Sequence, residues 1–164
     1  MTAAVISGTF DPFTRGHEDI VLKASKMFKT VIILIGNNPS KVPVFNRTVR
    51  KSLIEDQIWY IKNVRVEIAT QPLLVQDVKN LNASVIVRGI RTASDVDYED
   101  TMMMINRNLA PDVETVYIKS SPELAHISSS VFKELLTLDR NGEWMVGDTI
   151  FDRYATALYG KYND

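Results

Sequence analysis

The chain has 164 residues, 45% of them apolar, which suits one domain with a sizeable core. Charged residues at 24% argue against disorder, and a net charge of −1 argues against nucleic-acid binding through overall charge, so any anion site has to be local. The absence of cysteine excludes disulfides, thiolate metal sites and a cysteine nucleophile, and neither a signal segment nor a run of some 18 apolar residues is found, so the expected setting is the cytoplasm, with no membrane contact.

Short β-branched runs alternate with longer amphipathic stretches. Ala3–Ile6 reads as a strand, followed by a helix near Glu18–Phe28. Thr30–Ile35 and Val64–Ile68 read as strands, each followed by a helix, Arg47–Ile61 and Leu73–Leu81. Ser84–Val87 precedes a helix over Val96–Leu109, and Glu114–Ile118 precedes one from Ser128 to about Leu138. Strands that are apolar throughout, rather than alternating, predict a parallel sheet covered on both faces. Five βα units in succession predict an α/β fold: a single Rossmann-like, doubly wound domain over residues 1–164 with a five-stranded parallel sheet. The stretch 139–164 is expected to be a C-terminal helical extension, with a turn at Asn141-Gly142 and a terminal helix over Thr149–Tyr159.

In such folds ligands sit beyond the carboxyl ends of the strands, and the polar loops of this chain fall there. Gly8 to His17 follows the first strand and opens a helix, so its backbone N–H groups and partial positive charge suit a phosphate. The bland reading of this segment is a tight turn with an exposed histidine. A histidine at a helix N-terminus stays neutral, because the dipole disfavours the cation, and it can still donate one hydrogen bond. Gly36 to Lys41 follows the second strand, where Lys41 is either a surface lysine or a counter-charge for a substrate phosphate.

Arg88-Gly89-Ile90-Arg91 is placed on a loop after the fourth strand. The two guanidinium forks either solubilise the surface or face phosphate oxygens, and Gly89 would let backbone approach a ligand. Asp95, Asp97, Glu99 and Asp100 crowd the next helix start, where they complement the dipole, hold a ribose hydroxyl or magnesium water, or pair with an arginine. Ser128-Ser129-Ser130 offers more hydroxyls than one N-cap needs, which points to a second anion-binding helix start. His126 reads as structural, and Met102 to Met104 as core or adaptable lining. No spacing of metal ligands stands out, so magnesium is expected to arrive on nucleotide phosphates. Nor does a side-chain nucleophile or strong base. An attacking phosphate is already anionic and needs none, leaving positioning and charge stabilisation at an α-phosphorus.

Taken together, these segments resemble the bacterial phosphopantetheine adenylyltransferases of the nucleotidyltransferase superfamily. The T/H-x-G-H signature of that superfamily stands here as Thr14-Arg15-Gly16-His17. Arg88 to Arg91 with Asp95, Tyr98 and Glu99, then Ile127 to Ser130, Asn38 to Lys41 and Asn106-Arg107 extend the resemblance over residues 3 to 135. The resemblance implies transfer of the adenylyl group of ATP to 4′-phosphopantetheine, with Mg2+, giving 3′-dephospho-coenzyme A and pyrophosphate. It implies His17 as transition-state stabiliser, with Lys41 and Arg91 beside it. For ATP it implies Thr9, Phe10, His17, Gly89, Ile90, Arg91, Glu99 and the segment Leu124, Ala125, His126, Ile127, Ser128, Ser129, Ser130. For phosphopantetheine it implies Thr9, Lys41, Leu74, Arg88, Tyr98 and Asn106, with Met102 and Glu134 beside them. A homohexamer and feedback inhibition by coenzyme A are further implications. Three residues depart from the family pattern: Ser7 where a proline usually stands, Val42 in place of a second basic residue, and Leu124 where an aromatic is common. Two alternatives stay open at this point. One is a related nucleotidyltransferase using CTP and glycerol phosphate or nicotinate mononucleotide; the other is a noncatalytic sensor of ATP or coenzyme A.

Overall fold

The β-branched run at the N-terminus forms β1 (Ala3–Gly8) at the centre of the sheet, flanked by β2 (Thr30–Ile35) and β4 (Val85–Ile90). The computed structural model describes residues 2–36, 38–139 and 142–159. Adding β3 (Val64–Ile68) and β5 (Glu114–Lys119) gives a five-stranded sheet of order β3-β2-β1-β4-β5, parallel at every pairing. The chain winds outward from β1 to β3, then crosses β1 to start again at β4. The direction of winding therefore reverses between β1 and β4, and a crevice opens above their carboxyl ends.

Among the described residues, six α-helices join and cover the strands: α1 (Arg15–Met27), α2 (Arg47–Ile58), α3 (Leu74–Asn80), α4 (Ala93–Leu109), α5 (Ser129–Asp139) and α6 (Asp148–Tyr159). Alternation along β2 sends Val31, Ile33 and Ile35 to one face and Ile32 and Leu34 to the other, all of them buried. The first face packs against α1, α2, α5 and α6, with Phe132, Leu136 and Tyr154 fully buried. The second packs against Val75 and Val78 of α3. Truncating a ring such as Phe132 in this core costs about 3–5 kcal/mol.

The expected α/β architecture is present, and most boundaries move by one to three residues. The fourth strand is the informative difference. It runs on through Arg88, Gly89 and Ile90, which the sequence reading placed on a loop. Pairing with β5 extends it: Arg88 lies opposite Tyr117, Gly89 opposite Ile118 and Ile90 opposite Lys119. A polar, glycine-bearing end reads as a loop locally, but neighbouring strands satisfy its backbone groups. The first helix likewise starts at Arg15 rather than Glu18, so His17 sits inside its first turn. Two short 3-10 turns, Pro122–Leu124 and Glu143–Met145, were not foreseen. The Asn141-Gly142 turn falls partly outside the described residues, while Gly142 itself adopts a φ of 116°, the left-handed region that glycine tolerates.

Candidate active site

The crevice holds a cavity of about 510 Å³, walled by the ends of β1 and β4 and by the first turns of α1 and α5. Thr14 caps α1. Its backbone N–H donates to His17 Nδ1 at 3.0 Å, its hydroxyl lies 3.1 Å from the same nitrogen, and its Oγ1 accepts from His17 N–H at 3.4 Å. A histidine here takes the place of the glutamate of a capping box. An Nδ1 that accepts from a backbone N–H leaves the proton on Nε2, the tautomer this network assigns. Phe13 stacks on the imidazole at 5.6 Å and Phe10 meets it edge-on at 5.1 Å. Burial, then the charges of Arg91 and Lys41, push the imidazole down from 6.5 to about 4. The ring is therefore a neutral donor set in a cationic cavity, kept neutral by burial and by neighbouring charge.

The turn before it is held tightly. Phe10 adopts a φ of 51°, and its ring fills the place a side chain at Gly8 would take, 2.9 Å from that Cβ position. Asp11 is buried, and its carboxylate accepts from Val44 N–H, from Lys133 Nζ at 2.9 Å and from the Tyr154 hydroxyl at 2.7 Å. Arg50 donates to Phe45 O at 2.9 Å and also to Thr9 O.

On the β4 side, Arg88 lines the cavity with its guanidinium already oriented. Nε and Nη2 form a fork with Glu99 at 2.7 and 2.8 Å, and Nη1 donates to the Ser7 carbonyl and hydroxyl, both at 3.1 Å. Glu99 thus serves Arg88 and does not wall the cavity. Ser7 supplies a hydroxyl that a proline could not. Gly89 has a packing reason rather than a ligand-approach reason: a Cβ there would lie 3.0 Å from Ile20 of α1. Arg91 is half-exposed and loosely paired with Asp95 at 3.3 Å, and Lys41 stands exposed at the opposite rim.

The three serines divide their work. Ser128 Oγ caps α5 through Val131 N–H at 3.2 Å, Ser129 Oγ donates to Pro12 O at 2.8 Å, and Ser130 is exposed; all three line the cavity. One further cation faces it, Lys133, one helical turn after Ser129. Its spacing of four from Ser129 is the helical signal in the sequence that puts the two on one face of α5.

The tertiary structure therefore gathers Thr9, Phe10, His17, Lys41, Arg88, Gly89, Arg91, Ile127 and the three serines around one cavity. It leaves other candidates outside the cavity wall. Leu74 packs against the second core cluster, and Leu124 against the main one. His126 is exposed, with its ring 5.3 Å from that of Trp144. Ile90 and Ala125 are not part of the wall, and Asn106 lies far along α4. Of Tyr98 only its place on α4 belongs to the described structure. Among the described residues no three His, Cys, Asp or Glu side chains stand together as a metal cage. The cavity's polar wall is cations and hydroxyls, and its one buried carboxylate, Asp11, is engaged by three donor groups.

Residues 5–135 match the cytidylyltransferase-like family. A phosphopantetheine adenylyltransferase of Levilactobacillus brevis is 42% identical over 162 residues, covering 99% of this chain and all of the relative. One from Bdellovibrio bacteriovorus is 45% identical over 132 residues, 80% of this chain and 82% of the relative. Among solved structures, the nicotinic acid mononucleotide adenylyltransferase of Plasmodium falciparum complexed with NaAD superposes with a TM-score of 0.67 at 16% identity, over 98% of this chain and 97% of that one. A bifunctional NMN adenylyltransferase/ADP ribose pyrophosphatase of Francisella tularensis, complexed with AMP and a manganese ion, gives 0.64 at 16% identity, over 99% of this chain and 54% of that one. These structural likenesses show the fold.

Proposed function

We propose how the cavity works from one premise: this chain belongs to the phosphopantetheine adenylyltransferase family, within the cytidylyltransferase-like proteins. The protein is a nucleotidyltransferase of coenzyme A biosynthesis. It transfers the adenylyl group of ATP to 4′-phosphopantetheine, giving 3′-dephospho-coenzyme A and pyrophosphate.

The single observation that carries the assignment of roles is the hydrogen bond from Thr14 N–H to His17 Nδ1 at the mouth of α1, which assigns the ring proton to Nε2. The substrate phosphate attacks the α-phosphorus of ATP in line, and the P–O bond to pyrophosphate breaks. Charge builds on the non-bridging α-oxygens, and His17 Nε2–H donates to one of them. No proton has to leave the attacking phosphate. Lys41 and Arg91 neutralise charge from opposite rims, and Arg88 presents its charge and the second N–H of Nη2 to the substrate phosphate. The first turns of α1 and α5 add backbone donors and positive dipole ends.

Magnesium fits this donor set as a passenger on the ATP phosphates, since the wall offers cations and hydroxyls rather than a free carboxylate cage. Bound that way, it neutralises phosphate charge; the protein residues orient what it carries. Leu74 and Asn106 are assigned to the pantetheine arm outside the cavity proper, Tyr98 to the same arm, Ile90 and Leu124 to His126 to the nucleotide, and Glu99 to holding Arg88 for the substrate phosphate. Coenzyme A, which carries the same arm, is assigned as a feedback inhibitor competing there.

A homohexamer is supported by α4. None of its described side chains is buried, and Met104, Ile105 and Leu109 are 64%, 46% and 51% exposed. An apolar face on a 17-residue helix is the kind of surface a second copy covers. No described helix is long and apolar enough to cross a membrane. The cytoplasm is the proposed location, and no nucleic-acid partner is proposed.

The deciding assay is pyrophosphate release with ATP, magnesium and 4′-phosphopantetheine, with His17→Ala as control. Release should need both substrates, and His17→Ala should lower turnover about 100- to 1,000-fold while ATP affinity stays near wild type. An equal loss in ATP affinity would make His17 a ground-state ligand. No release from the wild type, with ATP bound, would point to a different acceptor.

A further inference from the structure

The reaction assigned above uses Lys41, yet the described residues of the loop tip that carries it, 38–42, have little hold on the fold. Residues 38–42 are exposed, and the hydrogen bonds of the loop tip are local, Lys41 N–H to Asn38 O at 3.1 Å and Ser40 Oγ to Asn38 Oδ1 at 2.6 Å. The loop becomes anchored three residues later. Val44 N–H donates to both oxygens of the Asp11 carboxylate, each at 3.1 Å. Phe45 packs edge-on against the Tyr154 ring at 4.9 Å, and its carbonyl accepts from Arg50, which also holds Thr9 O. Asp11 and Thr9 both belong to the turn that leads into His17. The anchor thus ties the Lys41 loop to the His17 turn, and it is completed by a group from the far end of the chain, the Tyr154 hydroxyl of α6 on Asp11 at 2.7 Å. That hydroxyl is fully buried, and burial together with the Asp11 charge pushes it far above the ordinary phenol value, so it remains a donor.

We infer that Tyr154 is a positioning residue for Lys41: through the Asp11 carboxylate it sets where the Lys41 loop stands against the His17 turn, and so tunes capture of the acceptor's phosphate. This rests on the reading that the acceptor phosphate meets Lys41. Removing the hydroxyl leaves Asp11 with Val44 and Lys133 as donors of unequal reach, and the carboxylate is free to turn towards Lys133 and away from the loop.

The test is Tyr154→Phe, which keeps the ring that Phe45 packs against, measured alone and combined with Lys41→Ala. The single variant should raise the Michaelis constant for 4′-phosphopantetheine about three- to tenfold, with that for ATP within about twofold of wild type. In the Lys41→Ala background, Tyr154→Phe should change the acceptor constant no further, because its effect runs through Lys41. Thermal denaturation of each variant checks that the fold survives. Equal changes for both substrates, no change for either, or an undiminished effect in the Lys41→Ala background overturns the inference. A wild-type protein that turns over no phosphopantetheine overturns the functional reading itself, and the inference with it.

Discussion

Thr14 N–H and His17 Nδ1 meet at 3.0 Å, three residues apart at the start of α1. That one bond decides which ring nitrogen carries the proton, and with it what the histidine can do. With Nδ1 engaged as an acceptor, the histidine can serve only as a donor from Nε2, not as a base from that nitrogen. Its neutrality follows from burial and from two neighbouring cations, so it is a property of the free enzyme and not of the reaction.

Proton NMR titration of the free protein should therefore show His17 titrating near pH 4, well below the ordinary value of 6.5. Binding of ATP should raise it, because a triphosphate replaces repulsion with attraction. The stability consequence has a definite sign. The unfolded chain binds a proton at His17 below about 6.5 that the folded chain refuses until about 4, so stability falls as pH drops through that window. A His17 titrating at its ordinary value in the free protein would remove burial and the two neighbouring cations as the cause of its neutrality.

Arg88 and Glu99 act as one unit, since the carboxylate occupies two of the guanidinium donors. Arg88→Ala is expected to raise the Michaelis constant for phosphopantetheine more than that for ATP, by about tenfold or more. Glu99→Gln should shift the same constant in the same direction by less, because Ser7 still holds Nη1. Steady-state kinetics with each substrate varied in turn checks both, and a larger effect on ATP would reassign Arg88.

A side chain at Gly89 has to displace Ile20, whose Cγ1 lies 3.0 Å from the Cβ position. Gly89→Ala should cost about 1–3 kcal/mol, and a melting temperature lowered by at least 2 °C in calorimetry would register it. An unchanged melting temperature would mean that Ile20 gives way freely.

The α4 surface predicts its own perturbation. Ile105→Glu places a charge in the exposed apolar face and should lower the assembly mass measured by light scattering, with the circular dichroism of the protomer retained. A mass equal to that of the wild type would move the subunit contact off this face.

The arrangement of strands and helices was legible in the chain because periodicity is local. Thr30–Ile35 forms as read, because a strand buried on both faces has to be apolar along its length, and Val64–Ile68 forms as read as an edge strand whose Val64, Val66 and Ile68 alternate with Arg65 and Glu67. The signature around His17 was legible for a similar reason: a capped helix start and its turn lie within ten consecutive residues. The end of β4 was not, because Arg88, Gly89 and Ile90 look like a loop until β5 supplies their partners. Nor was the pairing of Arg88 with Ser7, or of Asp11 with Tyr154, which lie 81 and 143 residues apart. Sequence by itself determined the fold class, the winding that brings the strand ends together and the chemical character of the loops above them. Only the tertiary structure decided which donors each carboxylate holds, which tautomer His17 keeps and how the last helix reaches the first turn, because buried hydrogen bonds are chosen by three-dimensional proximity and not by spacing along the chain.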